Sequence, residues 1–492
     1  MNAPIRRLSA VVALLFATLL VASTWIQVVQ AKELQERPDN RRTLLATYAR
    51  ERGQILVDGA PVAKSVPSND ELKWLRTYPE ARRYPHVTGY YSFVYGPGGG
   101  LELTENGLLS GQSDKLFYRR VSDMLTGHTP AGASLELTIN PKAQEAADKA
   151  LGNQRGAVVA IDPKTGAILA MVSNPDYDPG SLTSHDTKKV VAAWNKLNAD
   201  PARPLVNRAI AGNLYPPGST FKIVTAAAAL SSGRFTEESV IPGPAVLDLP
   251  DTTADLPNSN RQACGPDNKT TLKHALEISC NTAFGWLGMN LGAESFRAQA
   301  AKFGIGDSLQ VPMRVTPSSV PAELNRPQLA QSAIGQYDVR VTPLQVAMIS
   351  SAVANNGIVM KPYLVKSVLS SDLDTIEEAS PSQMSQAVDA EQANALTRMM
   401  EAVVKSGSGQ AAQISGVSVA GVATVLDHHG HGDLGVVGKA PHAWFTGFAP
   451  ADDPKVAVAV VVEDGGNAGN EAAGGLVAAP IAKAVMEAVI GR

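Results

Sequence analysis

Charge of one sign is what this chain lacks most plainly. Its 43 lysines and arginines nearly balance 46 aspartates and glutamates, a formal net charge of −3, and no long basic run occurs. Without a basic field to neutralise phosphates, nucleic-acid binding is set aside. Short repeats of fixed period are also missing, which removes solenoids and propellers. Cysteine is nearly absent, with 2 in 492 residues, so at most one bridge can form within the chain. What is abundant is ordinary globular material, 44% hydrophobic against 18% charged. Disorder is not the default for such a composition, and the length allows two or three domains with sizeable cores.

One apolar run is long. After Arg6 and Arg7 comes LSAVVALLFATLLVASTWIQVV, Leu8 to Val29, chargeless and long enough to cross the hydrocarbon core of a bilayer as one helix. Trp25 would sit near the far interface. A cleaved signal peptide has a shorter apolar region and a small-residue cleavage site, whereas Gln30 and Lys32 follow here, so the run reads as an anchor. Arginines before it, with no basic cluster immediately after, place residues 1–7 in the cytoplasm and the remaining chain outside. That compartment permits Cys264 and Cys280 to pair. A bridge between them would close a loop worth about 3 kcal/mol in the chain-entropy account; two free buried thiols are the alternative.

Residues 30–130 mix charged stretches, turn signals and short apolar alternations such as RGQILVDG and GYYSFVYGPGGG. They read as a modest α+β module. The glycine-rich tip Gly96 to Gly100 has no helix-opening context and reads as a loop, not a phosphate cradle. From ASLELTINPKAQEAADKAL onward the pattern becomes a strand, a helix and then GAVVAIDPKTGAILAMVS, two β runs joined by a hairpin signal at Asp162 to Gly166. VAVAVVVEDGG and GGLVAAPIAKAVMEAVI predict a strand and a closing helix. An antiparallel sheet with helices against it fits these elements.

The stretch YPPGSTFKIVTAAAAL sets Ser219 and Lys222 three residues apart at a helix start. Pro216, Pro217 and Gly218 hold a turning chain up to that start, and residues three apart share a helix face. A serine alcohol is a poor nucleophile until a base takes its proton, and a desolvated lysine can be that base. Ser-x-x-Lys alone is weak, because it also describes an N-cap followed by a solvated lysine. Further on, LKHALEISCNTAFGWLG carries Ser279, Cys280 and Asn281 between two apolar helical runs, a second hydroxyl and an amide able to bind a substrate carbonyl.

GAVVAIDPKTGAILAMVSNPDYDP, NRAIAGNLYPPGSTFKIVTAAAAL, AIGQYDVRVTPLQVAMISSAVANNG and PHAWFTGFAP together resemble the transpeptidase domain of class B penicillin-binding proteins. The anchor followed by RGQILVDG resembles that family's membrane-proximal pedestal, so the resemblance spans nearly the whole chain. It implies an α+β fold: a serine β-lactamase-like transpeptidase domain over 134–490, an antiparallel sheet with flanking helices, on a pedestal or dimerisation-like domain over 30–130. It also implies a serine-type D-Ala-D-Ala transpeptidase of peptidoglycan synthesis. Ser219 would attack the donor stem peptide, with Lys222 as base, Ser279 and Asn281 relaying protons and holding the donor, and the Ser219 N–H forming half of an oxyanion hole. β-Lactams would acylate the same serine. No metal or other cofactor is implied. The partners are stem peptides, β-lactams, the cell membrane and other cell-wall assembly proteins.

The chain departs from the family at one place. A Lys-Thr/Ser-Gly strand should precede PHAWFTGFAP, yet the sequence reads Val422, Ala423, Thr424, Val425, Leu426. Lys164-Thr165-Gly166 does not replace it, because that triplet lies in the hairpin turn. A strand over Val417 to Leu426 is still expected, with Thr424 and Val425 on the substrate side and the N–H near Val425 completing the oxyanion hole. A cation beside Ser279 and a hydroxyl for the substrate carboxylate are lost, on the order of a hundredfold or more in rate. The following LDHHGHGDLGVVGK places His429, His431 and Asp433 at metal-ligand spacing, but Leu434 stands where another histidine belongs, and a glycine-rich loop is the preferred reading. Lys439 or a histidine of this loop is a candidate to replace the absent lysine. Three classes remain: an active transpeptidase with a rewired third motif, a catalytically impaired homologue acting as a scaffold in wall assembly, and a β-lactam-recognising hydrolase or sensor. The anchor argues against a freely secreted hydrolase.

Overall fold

The computed structural model describes residues 2–30, 48–117, 131–212, 214–424, 441–471 and 473–492. At the N-terminus the helix Asn2–Thr24 runs on into a π-turn, Trp25–Val29. It starts before Leu8 because Pro4 falls in the first turn, where its missing N–H costs nothing. The 27-residue stretch Ala3–Val29 holds an 18-residue window of mean hydropathy 2.1 that is 0% buried against the rest of the protein. It is a candidate single membrane span.

A five-stranded antiparallel sheet forms the centre, in the order Ala420–Ala423, Ala443–Ala449, Val456–Val462, Gly156–Ile161 and Ile168–Asn174. Val456–Val462 reads VAVAVVV because both of its faces are covered. Val456, Val458, Val460 and Val462 face the core under the helix Gly474–Ile490, which also takes in the helix Pro141–Leu151, whereas Ala457, Ala459 and Val461 face the core under the helix Pro343–Ala354, which also takes in the helix Ala390–Lys405. Period-2 alternation thus sorts one strand between two cores. Each fully buried valine contributes about 1.5–3 kcal/mol. The closing strand and helix fall where the sequence predicts them. The hairpin turn does too: Asp162 accepts from the Lys164 N–H at 2.9 Å and the Thr165 hydroxyl at 2.8 Å, and Lys164 Nζ pairs with Asp453 at 2.7 Å.

A second, six-stranded sheet runs Thr375–Glu378, Val365–Leu369, Ser134–Leu137, Ile55–Val57, Ala60–Pro67 and Trp74–Thr77. It crosses the division expected near residues 130–134, since a hairpin from late in the chain adds two strands to it. The tip Gly96 to Gly100 is more than the expected loop: Gly96–Gly98 pairs with Tyr90–Ser92, and a short helix opens at Gly100, Gly100–Thr104. Gly100 needs to be glycine, with φ +48 and a Cβ position 2.3 Å from the Gly89 nitrogen. This turn delivers Glu102, 0% exposed, to Arg52 Nε at 2.6 Å, Arg76 Nε at 2.7 Å and the Tyr78 hydroxyl at 3.1 Å. Burial pushes its carboxyl up, but Arg76 and Arg52 outweigh that and hold it below the ordinary range.

Candidate active site

Ser219 lies in a 3-10 turn, Gly218–Phe221, and Lys222 opens the α-helix Lys222–Ser231 directly after it. The approach is pinned at successive residues. Tyr215 exchanges backbone bonds with Val341 at 2.9 and 2.8 Å, Trp444 Nε1 donates to the Pro216 carbonyl at 3.1 Å, and the Gly218 N–H donates to the Gly335 carbonyl at 3.1 Å. Gly218 takes φ +53, and a Cβ on Gly335 would lie 2.1 Å from the Gly218 oxygen, so both positions exclude a side chain. These contacts hold the Ser219 hydroxyl at the head of the helix, 7% exposed.

The second group comes from the break between the helices Leu272–Glu277 and Asn281–Leu291. Ser279 adopts φ +59, a left-handed conformation uncommon for a residue with a Cβ and a store of strain typical of functional turns. Its hydroxyl donates to Ser219 Oγ at 2.8 Å. Lys222 Nζ donates to Ser279 Oγ at 3.0 Å, the Ser279 carbonyl at 2.8 Å and Asn281 Oδ1 at 2.7 Å. Lys222 is itself 0% exposed, and its ammonium lies 5.7 Å from the Phe284 ring centre. Ser219, Lys222, Ser279 and Asn281 are therefore one hydrogen-bonded unit. The described line from Lys222 to Ser219 passes through Ser279, a relay that helical spacing alone did not predict. Asn281 meets the lysine with its oxygen, and its Nδ2 lies 3.4 Å from the Pro257 carbonyl.

Cys264 and Cys280 are bridged, with Cα atoms 6.1 Å apart, and this ties the loop before Asn268 to the residue between Ser279 and Asn281. Asn258 braces the same loop: its Nδ2 donates to the Pro244 and Gln262 carbonyls at 3.0 and 2.8 Å, and its oxygen accepts from the Thr282 N–H at 3.0 Å.

Residues 156–487 match the penicillin binding protein transpeptidase domain. The chain belongs to that family. Residues 52–135 match the penicillin binding protein A dimerisation domain. The chain is similar to peptidoglycan D,D-transpeptidase PbpA of Mycolicibacterium smegmatis, at 42% identity over 496 residues covering 100% of this chain and 99% of that protein. PbpA of Mycobacterium tuberculosis is 41% identical with the same coverage, 100% and 99%. Among solved structures, penicillin-binding protein A from M. tuberculosis as a ceftriaxone acyl-enzyme complex superposes with a TM-score of 0.85 at 41% identity, over 91% of this chain and 100% of that one. The D,D-transpeptidase domain of a peptidoglycan glycosyltransferase from Eggerthella lenta gives 0.75 at 33% identity, over 90% and 99%.

As a penicillin-binding protein the chain is unusual on the edge strand beside Ser219. That strand is Ala420–Ala423, opening three residues after Val417; of the expected stretch Val417 to Leu426, residues 425 and 426 lie outside the described residues. Val422 and Ala423 are both 0% exposed, but they face opposite ways: Val422 joins the core that holds Phe221, Ala423 the core under Gly474–Ile490. Of the two, only position 422 therefore shares a core with the Ser219 turn. Thr424 does not offer its polar groups to a substrate: its N–H donates to the Trp444 carbonyl at 3.0 Å and its hydroxyl accepts from the Trp444 N–H at 2.9 Å. Its place is at the end of the sheet ladder. Val425, His429, His431, Asp433 and Lys439 lie outside the described residues.

Sequence reasoning missed Tyr215, Trp444 and Asn258. The aromatic residues stood inside the quoted stretches YPPGSTFK and PHAWFTGFAP, where a ring beside a proline turn was the available signal. Asn258 sits in a polar loop, and nothing in that loop's composition marks it.

Proposed function

We propose that the chain is a peptidoglycan D,D-transpeptidase working through a serine acyl-enzyme, with Ser219 as nucleophile, and that β-lactams acylate the same serine. The observation that carries this reading is the continuous line from Lys222 Nζ through Ser279 Oγ to Ser219 Oγ, at 3.0 and 2.8 Å. With Lys222 in its neutral form, Ser219 Oγ attacks the carbonyl of the penultimate D-alanine, and its proton passes by Ser279 to Lys222. The oxyanion is met by the Ser219 N–H. Collapse breaks the amide bond, and terminal D-alanine leaves as an amine after taking the proton back along the same line. An amine of a neighbouring strand then attacks the ester, gives up its proton to the same relay and frees Ser219. Each transfer needs only these side chains.

Within the candidate span, Leu8 to Val29 anchors the protein in the cell membrane, with residues 1–7 cytoplasmic and the catalytic domain, 134–490, outside. Residues 30–130 serve as its pedestal, a surface for other cell-wall assembly proteins. A second reading, a catalytically impaired scaffold, is favoured by one observation, the buried Val422 where a lysine belongs. Labelling with fluorescent penicillin tests both. A covalent adduct on the full chain that disappears in Ser219→Ala supports the transpeptidase. A folded chain that never labels supports the scaffold, and an adduct persisting in Ser219→Ala refutes the nucleophile.

A further inference from the structure

Glu463 directly follows the strand Val456–Val462. Its carboxylate is a hub. Oε1 accepts from Arg208 Nε and from the Tyr215 hydroxyl, both at 2.7 Å, and Oε2 accepts from Arg155 Nη2 at 2.6 Å. The side chain is 10% exposed and that of Arg208 5%. Burial raises the Glu463 carboxyl, but the Tyr215 hydrogen bond and Arg208 outweigh it and hold the group below the ordinary range. Burial pushes the Tyr215 phenol up, so the pair meets as carboxylate and neutral donor.

Tyr215 stands four residues before Ser219, and its ring is set edge-on to His442 at 5.6 Å and Trp444 at 5.9 Å. Trp444 in turn holds the Pro216 carbonyl, and the Thr220 hydroxyl holds the Pro217 carbonyl at 2.7 Å. The hydroxyl bond to Glu463 is the contact that fixes the ring at the head of this chain of restraints. The described partners of Glu463 do not include Ser219, so any influence on the reaction passes through the turn.

We infer that Glu463 is a positioning residue for acyl transfer, acting through the Tyr215 hydroxyl to set where the Tyr215-Pro216-Pro217-Gly218 turn presents Ser219. Displacement of a reacting atom by about 1 Å costs on the order of a hundredfold in rate, and one hydrogen bond to a charged group is worth roughly a tenfold effect or more. The inference rests on Ser219 being the acylated residue.

Two variants separate positioning from mere stability. Tyr215→Phe removes the hydroxyl and leaves the Arg155–Glu463–Arg208 pairs intact, so its Tm should fall less than that of Glu463→Gln. Glu463→Gln keeps an acceptor for the hydroxyl but loses the charge both arginines pair with, so its Tm should fall. Stopped-flow acylation of the full chain by a chromogenic cephalosporin resolves the limiting rate from the binding constant. The expected result is a crossover: Tyr215→Phe loses about tenfold in limiting rate with unchanged binding and the smaller fall in Tm, while Glu463→Gln keeps more of the rate despite the larger fall in Tm. A rate that follows Tm across the variants, or Tyr215→Phe acylating as fast as the wild type, overturns the inference. A wild-type chain that does not acylate overturns the Ser219 reading and this inference with it, so the two failures are distinguishable.

Discussion

Removing the Ser279 hydroxyl cuts the described line from Lys222 to Ser219 at its middle. Ser279→Ala deletes a charge-assisted bond to Lys222 at 3.0 Å and a neutral bond to Ser219 at 2.8 Å. The first is worth about 1.5–3 kcal/mol and the second about 0.5–1.5 kcal/mol. If both are realised in the transition state, acylation slows by about 30- to 2000-fold at 1.36 kcal/mol per tenfold. The fold should survive, because Lys222 keeps the Ser279 carbonyl and Asn281 Oδ1 at 2.8 and 2.7 Å. Replacing serine by alanine at φ +59 leaves the backbone strain nearly unchanged, since both residues carry a Cβ. The assay is the time course of fluorescent-penicillin labelling beside a thermal melt. Labelling of Ser279→Ala at the wild-type rate refutes the relay and requires Lys222 to act on Ser219 directly. A loss of labelling that merely follows a fall in Tm refutes the arithmetic as well.

Three more expectations follow from the same coordinates. Val422→Lys should speed acylation by about tenfold or more through a new charged contact, while Ala423→Thr should not, because it faces the opposite core and buries a hydroxyl at a cost of about 1–3 kcal/mol; labelling rates of the two single variants check this. Replacing Cys264 and Cys280 by serine opens a 16-residue closure and should lower stability by about 3 kcal/mol, read by denaturant unfolding. Glu102→Ala strands Arg52 and Arg76 in the interior and should cost about 3–5 kcal/mol. The sign for acid follows from the lowered Glu102 value: its contribution is fully present above the unfolded carboxyl value of 4.5 and is lost as pH falls through the depressed folded value. A melt series below pH 4.5 should therefore show a steeper decline for the wild type than for Glu102→Ala.

Much of this protein is decided by local chemistry. The apolar anchor, the Asp162 hairpin, the closing strand and helix and the Ser219 and Ser279 motifs each depend on residues within one turn or one strand of each other. Period and punctuation therefore reveal them. That the first module's sheet takes in strands from late in the chain was not legible, because pairing joins Val365–Leu369 to Ser134–Leu137 across nearly half the chain, and no local pattern encodes such a partner. The same holds inside the site. That Lys222 reaches Ser219 by way of Ser279, that Thr424 spends its donors on Trp444, and that Val422 and Ala423 look to different cores are all consequences of distant elements meeting. Residue types and spacings determined which chemistry was on offer. Only the packed structure decided which groups touch, because a hydrogen bond of 2.8 Å between residues 219 and 279 is set by the helices and sheet that carry them.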